Sequence, residues 1–167
     1  MANTFVKIAA VTVGAGGASS IDFTSIPATY TDLCLVHSLR SSNTEDYCGV
    51  EFNSSSSSFS SRSLQGNGST ASSATRSDNL FVGTVVQSTL TANTFSNGQI
   101  YIPNYAGSAY KSFSYDAVQE NNASSALSEL FAGLWSNTAA ITGVKLVKAS
   151  GSFVQYSTAT LYGIKKD

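Results

Sequence analysis

Apolar and polar positions along this chain alternate in short runs broken by Gly, Asn, Ser and Pro. The cleanest run is Tyr110–Val118, where Phe113, Tyr115 and Ala117 fall on one side and Ser112, Ser114 and Asp116 on the other. That period of two is the signature of a half-buried β-strand, because successive side chains leave a strand on opposite faces. Ser20–Thr24 repeats it with Ile21 and Phe23 against Asp22 and Thr24. Phe5–Val13 does so more loosely, with Phe5, Ala9, Val11 and Val13 on one side. Asp32–Arg40 starts with a nearly continuous apolar run, which predicts a central strand covered on both faces. Tyr47–Asn53 follows after a polar loop, and a hairpin between the two is the natural pairing. Further strands are predicted over Asn79–Val86 and Thr94–Pro103. In Ala126–Trp135 the residues Leu127, Leu130, Phe131 and Leu134 also fit a helical period. The short length and Gly133 favour a strand there.

The stretch Leu134–Ile164 reads as a closing hairpin. It holds the sole Trp, the runs Val144–Val147 and Phe153–Ser157, and a turn at Ser150-Gly151-Ser152. Its expected core is Trp135, Ile141, Val144, Leu146, Phe153, Tyr156, Leu161 and Ile164. The whole pattern gives about ten short strands with frequent turn signals, the mark of a sandwich or barrel. The expected fold is therefore all-β: one antiparallel β-sandwich domain over residues 1–167, jelly-roll-like. Residues 1–18 form its N-terminal strand or arm. Residues 54–78, with the serine run Ser54–Ser58 and the turn signal Asn67-Gly68, are expected to be surface loops around one short strand.

Composition strengthens this picture. Charged residues make up only 11% of the chain, well under the usual quarter. Polarity comes from Ser, Thr and Asn, whose short side chains compete with the backbone and disfavour helix. A net charge of −1 with scattered Lys and Arg offers no basic stripe for nucleic acid. It also leaves little repulsion between copies. The apolar run Ile8–Val13 is too short and broken for a secretory leader. No stretch approaches a membrane-spanning length.

Candidate chemistry is sparse. The sole His, His37, sits mid-strand and reads as a structural residue. A serine nucleophile needs a base within hydrogen-bond reach, and there is no Gly-x-Ser-x-Gly elbow. Gly14–Gly17 lacks the Lys-Ser/Thr of a phosphate loop. Glu45-Asp46 has no Asp-x-Asp context for calcium. Asp116 and Glu120 are not spaced as a glycosidase pair. Cys34 and Cys48 read as free buried thiols, with a disulfide open only if their strands come face to face. The pattern Asn-x-Ser occurs at Asn53, Asn67 and Asn122, as chance provides in so Ser-rich a chain. The expectation is no catalytic, cofactor-binding or metal-ligating residue, no cofactor and no enzymatic activity. Tyr101, Tyr105, Tyr110, Tyr115, Tyr156 and Tyr162 could serve sugar binding, a core or an interface.

Several segments also resemble small virion structural proteins of tailed bacteriophages, especially those of aquatic and cyanobacterial hosts. The resemblance is carried by Ile21–Leu33, Leu64–Ser69, Gly133–Ile141, Gly151–Ser157 and Leu161–Ile164. It spans nearly the whole chain and brings no catalytic residue with it. It implies a virion protein assembled in the host cytoplasm, where both cysteines stay reduced. The expected role is a capsid decoration (cement) protein, with the major capsid protein and its own copies, as a homotrimer, for partners. Neither nucleic acid nor a membrane is among them. The alternative is a tail-fibre or receptor-binding module, with Ser-rich loops and exposed Tyr meeting host surface polysaccharide. An enzyme such as a depolymerase is the reading these residues support least.

Overall fold

The computed structural model describes residues 4–77, 83–122 and 126–165. Among these, twelve strands and no helix are present. In chain order they are β1 (Phe5–Thr12), β2 (Ser20–Phe23), β3 (Asp32–Leu39), β4 (Tyr47–Phe52), β5 (Phe59–Gly66), β6 (Ala71–Arg76), β7 (Gly83–Thr84), β8 (Ser96–Pro103), β9 (Lys111–Gln119), β10 (Leu127–Trp135), β11 (Val144–Val147) and β12 (Thr158–Ile164). They form an antiparallel β-sandwich. One sheet runs β1-β12-β3-β8-β9-β10-β5-β6 and the other β2-β11-β4-β7.

The strand-forming alternation survives wherever one sheet face is buried. In β9 the inward set is Lys111, Phe113, Tyr115, Ala117 and Gln119, and the residues between them are exposed. The segment with the ambiguous period is strand β10, with Phe131, Gly133 and Trp135 inward. The sheets meet around Phe52 of β4, whose ring lies 5.3 Å from Phe113, 5.5 Å from Phe59 and 5.7 Å from Trp135 between centroids. Edge-to-face pairs of this kind add to the energy of burying the rings. Gly133 is required beside them, because a Cβ there would meet the Phe113 ring at 2.3 Å.

Several expectations are corrected. The last stretch is no hairpin, since β11 pairs with β2 and β4 while β12 pairs with β1 and β3 in the other sheet. Phe153–Ser157 is loop with isolated bridges from Phe153 to Ala18 and Ser41, and the strand begins at Thr158. Of the expected core, Trp135, Ile141, Val144, Leu146, Phe153 and Leu161 are buried, Ile164 is half-buried, and Tyr156 is 67% exposed. Tyr156 has a positive φ of 71°, so its backbone turns the ring outward where period-two reasoning turned it in. Likewise β3 and β4 lie in opposite sheets and form no hairpin. On β3 the inward face is buried; on the other face Cys34 is buried, but Val36 and Ser38 are only half-buried. In β1 a register shift between Lys7 and Ala9 breaks the alternation, and Phe5 lies outward against Tyr162. The region 54–78 contains two strands, β5 and β6, joined by the Asn67-Gly68 turn. Gly68 takes φ +88°, a conformation open to Gly without steric cost. Of the strand expected over Asn79–Val86, residues 79–82 lie outside the described residues, and β7 is the described part. The proposed arm also begins outside them, at residues 1–3.

Arg40, Lys148 and Lys111 hold the chain segments between strands. Arg40 donates to the carbonyls of Ser88, Leu90, Thr91 and Thr94 at 2.8–3.2 Å. The Lys148 ammonium donates to Glu45 O at 2.9 Å and Tyr47 O at 2.7 Å and lies 3.2 Å from the Glu45 carboxylate. Lys111, only 1% exposed, donates to Gly107 O at 2.7 Å, Ala109 O at 2.5 Å and Thr138 O at 3.5 Å. Each clamp gives backbone carbonyls of loops and strand ends a donor. Lys111→Met keeps the buried stem and removes the donor. It is expected to lower stability by about 1–3 kcal/mol, read as a shifted urea midpoint at unchanged slope.

Candidate functional site

The groups with chemical potential gather in two places inside the sandwich. The first is a buried polar line. His37 points inward from β3, and its Nε2 lies 2.5 Å from the Tyr115 hydroxyl of β9. Cys48 Sγ, on β4 of the opposite sheet, lies 3.5 Å from the same hydroxyl. Two glycines open the space for it. A Cβ at Gly98 would meet the His37 ring at 2.6 Å, and one at Gly83 the Tyr115 ring at 2.1 Å. Burial lowers the His37 pKa to about 3. Burial also pushes the Cys48 thiol up to about 11 and the Tyr115 phenol well above its usual value. All three are therefore neutral at physiological pH, and each has at most 4% of its surface exposed. The line ties β3 and β9 of one sheet to β4 of the other. His37 Nδ1 has no hydrogen-bond partner, so the ring carries an unmet polar atom in the core.

The second place is Glu129 on β10. It faces inward beside Ala117 of β9 and Gln65 of β5, is 2% exposed, and its Oε2 has no hydrogen-bond partner. Burial raises its pKa to about 7. The Asp46 charge adds to the rise and the Arg76 charge opposes it. Nothing in the pattern of β10 marked this residue, because Glu at a strand position normally faces solvent.

The remaining candidates are engaged locally. The Glu45 carboxylate accepts from Ser150 N at 3.1 Å as well as from Lys148. Asp116 is exposed on the outer face of β9. Glu120 accepts the Asn122 N–H at 2.7 Å. Among the described residues no group of three or more His, Cys, Asp or Glu could hold a metal ion. Cys34 and Cys48 are free, buried and in different sheets. Asn53 Oδ1 accepts the N–H groups of Thr142 and Gly143 at 2.7 and 3.0 Å, so it clasps β4 to the 142–143 loop. Asn67 Oδ1 accepts from Ser69 and Thr70 and caps its own turn. The Asn122 motif lies partly outside the described residues. In the serine run, Ser55 bonds Ser57 and bridges back to Phe52, so it folds on itself. Among the tyrosines, Tyr105 and Tyr115 are core, Tyr101 donates to Asp32 at 2.7 Å, Tyr162 packs on Phe5, and Tyr110 and Tyr156 are exposed.

The outer face of the larger sheet is the other notable surface. Across β5, β10, β9 and β8 its charged residues are Arg62 and Asp116, set among Ser60, Ser112, Ser114, Ser128 and Ala132. Leu64 and Leu130 stand directly opposite one another there, 56% and 60% exposed. Val118, 40% exposed, lies diagonally beside Leu130. This face was hidden from sequence reasoning because β5 was not recognised as a full strand. The alternation of Phe59, Ser61 and Ser63 against Ser60, Arg62 and Leu64 was the available signal. No protein-family model, curated protein or solved structure matches the chain.

Two of the buried groups, His37 and Glu129, act in opposite directions on stability. His37 takes up its proton at pH 6.5 when unfolded but only near 3 when folded. Its contribution is complete above 6.5 and is lost as pH falls toward 3. Glu129 has an ordinary value of 4.5 and a folded value near 7. Its contribution is complete below 4.5 and is lost as pH rises through 7. Between 4.5 and 6.5 the two slopes cancel. The urea midpoint of the protein is expected to stay level across that window and fall below it. In Glu129→Gln the fall should begin near pH 6.5 instead, with higher stability than the parent at pH 8. An unchanged pH profile in the variant would show that Glu129 does not titrate as described.

Proposed function

We propose that this chain is a non-enzymatic structural protein of a bacteriophage virion, a capsid decoration protein seated on the outside of the lattice built by the major capsid protein. The observation that carries the reading is the broad outer sheet face, nearly free of charge and with Leu64, Leu130 and Val118 exposed together. Contiguous exposed apolar surface of this kind marks an interaction site. Low charge spares a docked face the desolvation of unpaired ions. The strand pairing supports the same reading. β1 pairs with β12, β2 with β11, β3 with β8 and β4 with β7. Nested antiparallel pairs of this order are what a jelly roll is wound from, and that architecture is common in shell and lectin domains. On this reading β5–β6 and β9–β10 are insertions that widen one sheet into the docking face. Fold analogy alone does not specify a job, so the exposed face and the resemblance of the sequence to virion proteins carry the rest.

A second reading, binding of host surface polysaccharide, is favoured by one feature. Tyr156 stands exposed beside a groove of about 330 Å³ lined also by Phe95, Asn93 and Gln155. Exposed aromatic rings with neighbouring amides suit sugar faces and hydroxyls.

Counting copies in purified virions separates the two. A decoration protein should be present at a level comparable to the capsid protein, and particles lacking it should lose DNA at lower temperature. A few copies per particle, together with host-cell binding that Tyr156→Ala abolishes, would establish the second reading instead.

A further inference from the structure

β6 is a terminal strand of the eight-stranded sheet, and among the described residues it pairs only with β5. The Asn67 N–H donates to Thr70 O at the turn, 3.2 Å away. Bonded and non-bonded pairs alternate from there in an antiparallel ladder. Ser72, Ala74 and Arg76 thus direct their backbone groups to β5, and Ala71, Ser73 and Thr75 direct theirs outward. Those three residues are exposed and uncharged. The β5–β6 register runs without a bulge from Ser61–Arg76 to Gly66–Ala71, and β6 contains no Pro. Natural edge strands are normally blunted by charge, Pro or bulges. The opposite edge, β1, has such devices: Lys7 and the register shift that follows it. β6 has none along its outward positions.

We propose that β6 is a homophilic docking edge, on which a second copy of this chain adds its own β6 antiparallel across a two-fold axis at Ser73. The occupant follows from self-complementarity. About that axis Ser73 faces its own counterpart, and Ala71 faces Thr75 on either side, so every outward N–H meets an outward carbonyl. Small side chains meet small ones. The Arg76 residues fall at opposite ends of the joint ladder, whereas parallel pairing would set them side by side. A net charge of −1 adds little repulsion. Leu64 stands beside Ser73 in register, with Leu130 beyond it, so the merged sheet carries an apolar pair on each side of the axis. The blunted β1 edge stops further addition, and the assembly closes as a pair. The inference does not rest on the decoration reading.

Sedimentation of the full chain from roughly 1 μM to 1 mM tests it. A monomer–dimer equilibrium is expected in that range. Ser73→Pro removes one outward N–H and no bond to β5, and should weaken association at least about tenfold. Ser73→Lys sets like charges directly opposite each other and should do the same. Thermal unfolding of dilute samples checks that each variant is folded. In hydrogen exchange, the Ser73 and Thr75 amides should slow with concentration, while Ser72 is already slow when dilute. A parent that stays monomeric at 1 mM, folded variants that associate as the parent does, or growth beyond the pair would each overturn the proposal.

Discussion

The last two strands of the chain each occupy the interior of a sheet, and the rest of the structure depends on that. β12 lies between β1 and β3, and β11 lies between β2 and β4. Until both are in place, β1 and β2 have no lateral partner, and β3 and β4 are each paired on one side alone. Almost every stabilising contact is therefore long-range, which makes loop closure a large part of the folding cost. Once the sheets form, Phe52 enters the ring formed by Phe59, Phe113 and Trp135 and joins the two layers. A chain with few helix formers and many small polar residues has little local structure to fall back on, so this distant pairing is what makes it globular.

The same economy governs its charges. The chain has nine Lys and Arg in all, and Arg40 under the 88–94 loop, Lys148 under 45–47, and Lys111 between 107–109 and 138 each bind several backbone carbonyls. Asn53 and Asn67 do comparable work with neutral amides. Loops that would otherwise leave carbonyls unmet are thereby held at the sandwich ends. The surface in turn is left with little charge, which is why its sheet face and its β6 edge stand out as places where another molecule could dock. On the proposed reading docking uses these surfaces, while the interior polar line joins the two sheets.

Those interior groups show how far sequence reasoning reaches. His37 was legible as a strand residue because it sits in an apolar run. Its pairing with Tyr115 was not, since the two are 78 positions apart and only the β3–β8–β9 order brings them together. Glu129 was less legible still. Its neighbours Ser128 and Leu130 face outward, so the strand itself turns the carboxylate inward, against the usual preference of Glu for water.

The amino-acid sequence by itself determined that this protein is an all-β sandwich and which residues face the core in β2 and β9. Those features depend on local period and on Gly and Asn at turns, and both are written residue by residue. Tertiary structure alone decided which sheet each strand joins, that residues 54–78 hold two paired strands in place of one short one, and that Tyr156 faces water. Serine has no strong preference for strand, so β5 is a strand because β10 offers it a ladder, and β6 because β5 does. The backbone at Tyr156 is turned by its bonds to Val13 and by the Val154–Ser157 turn, contacts that no pattern of neighbouring residues encodes.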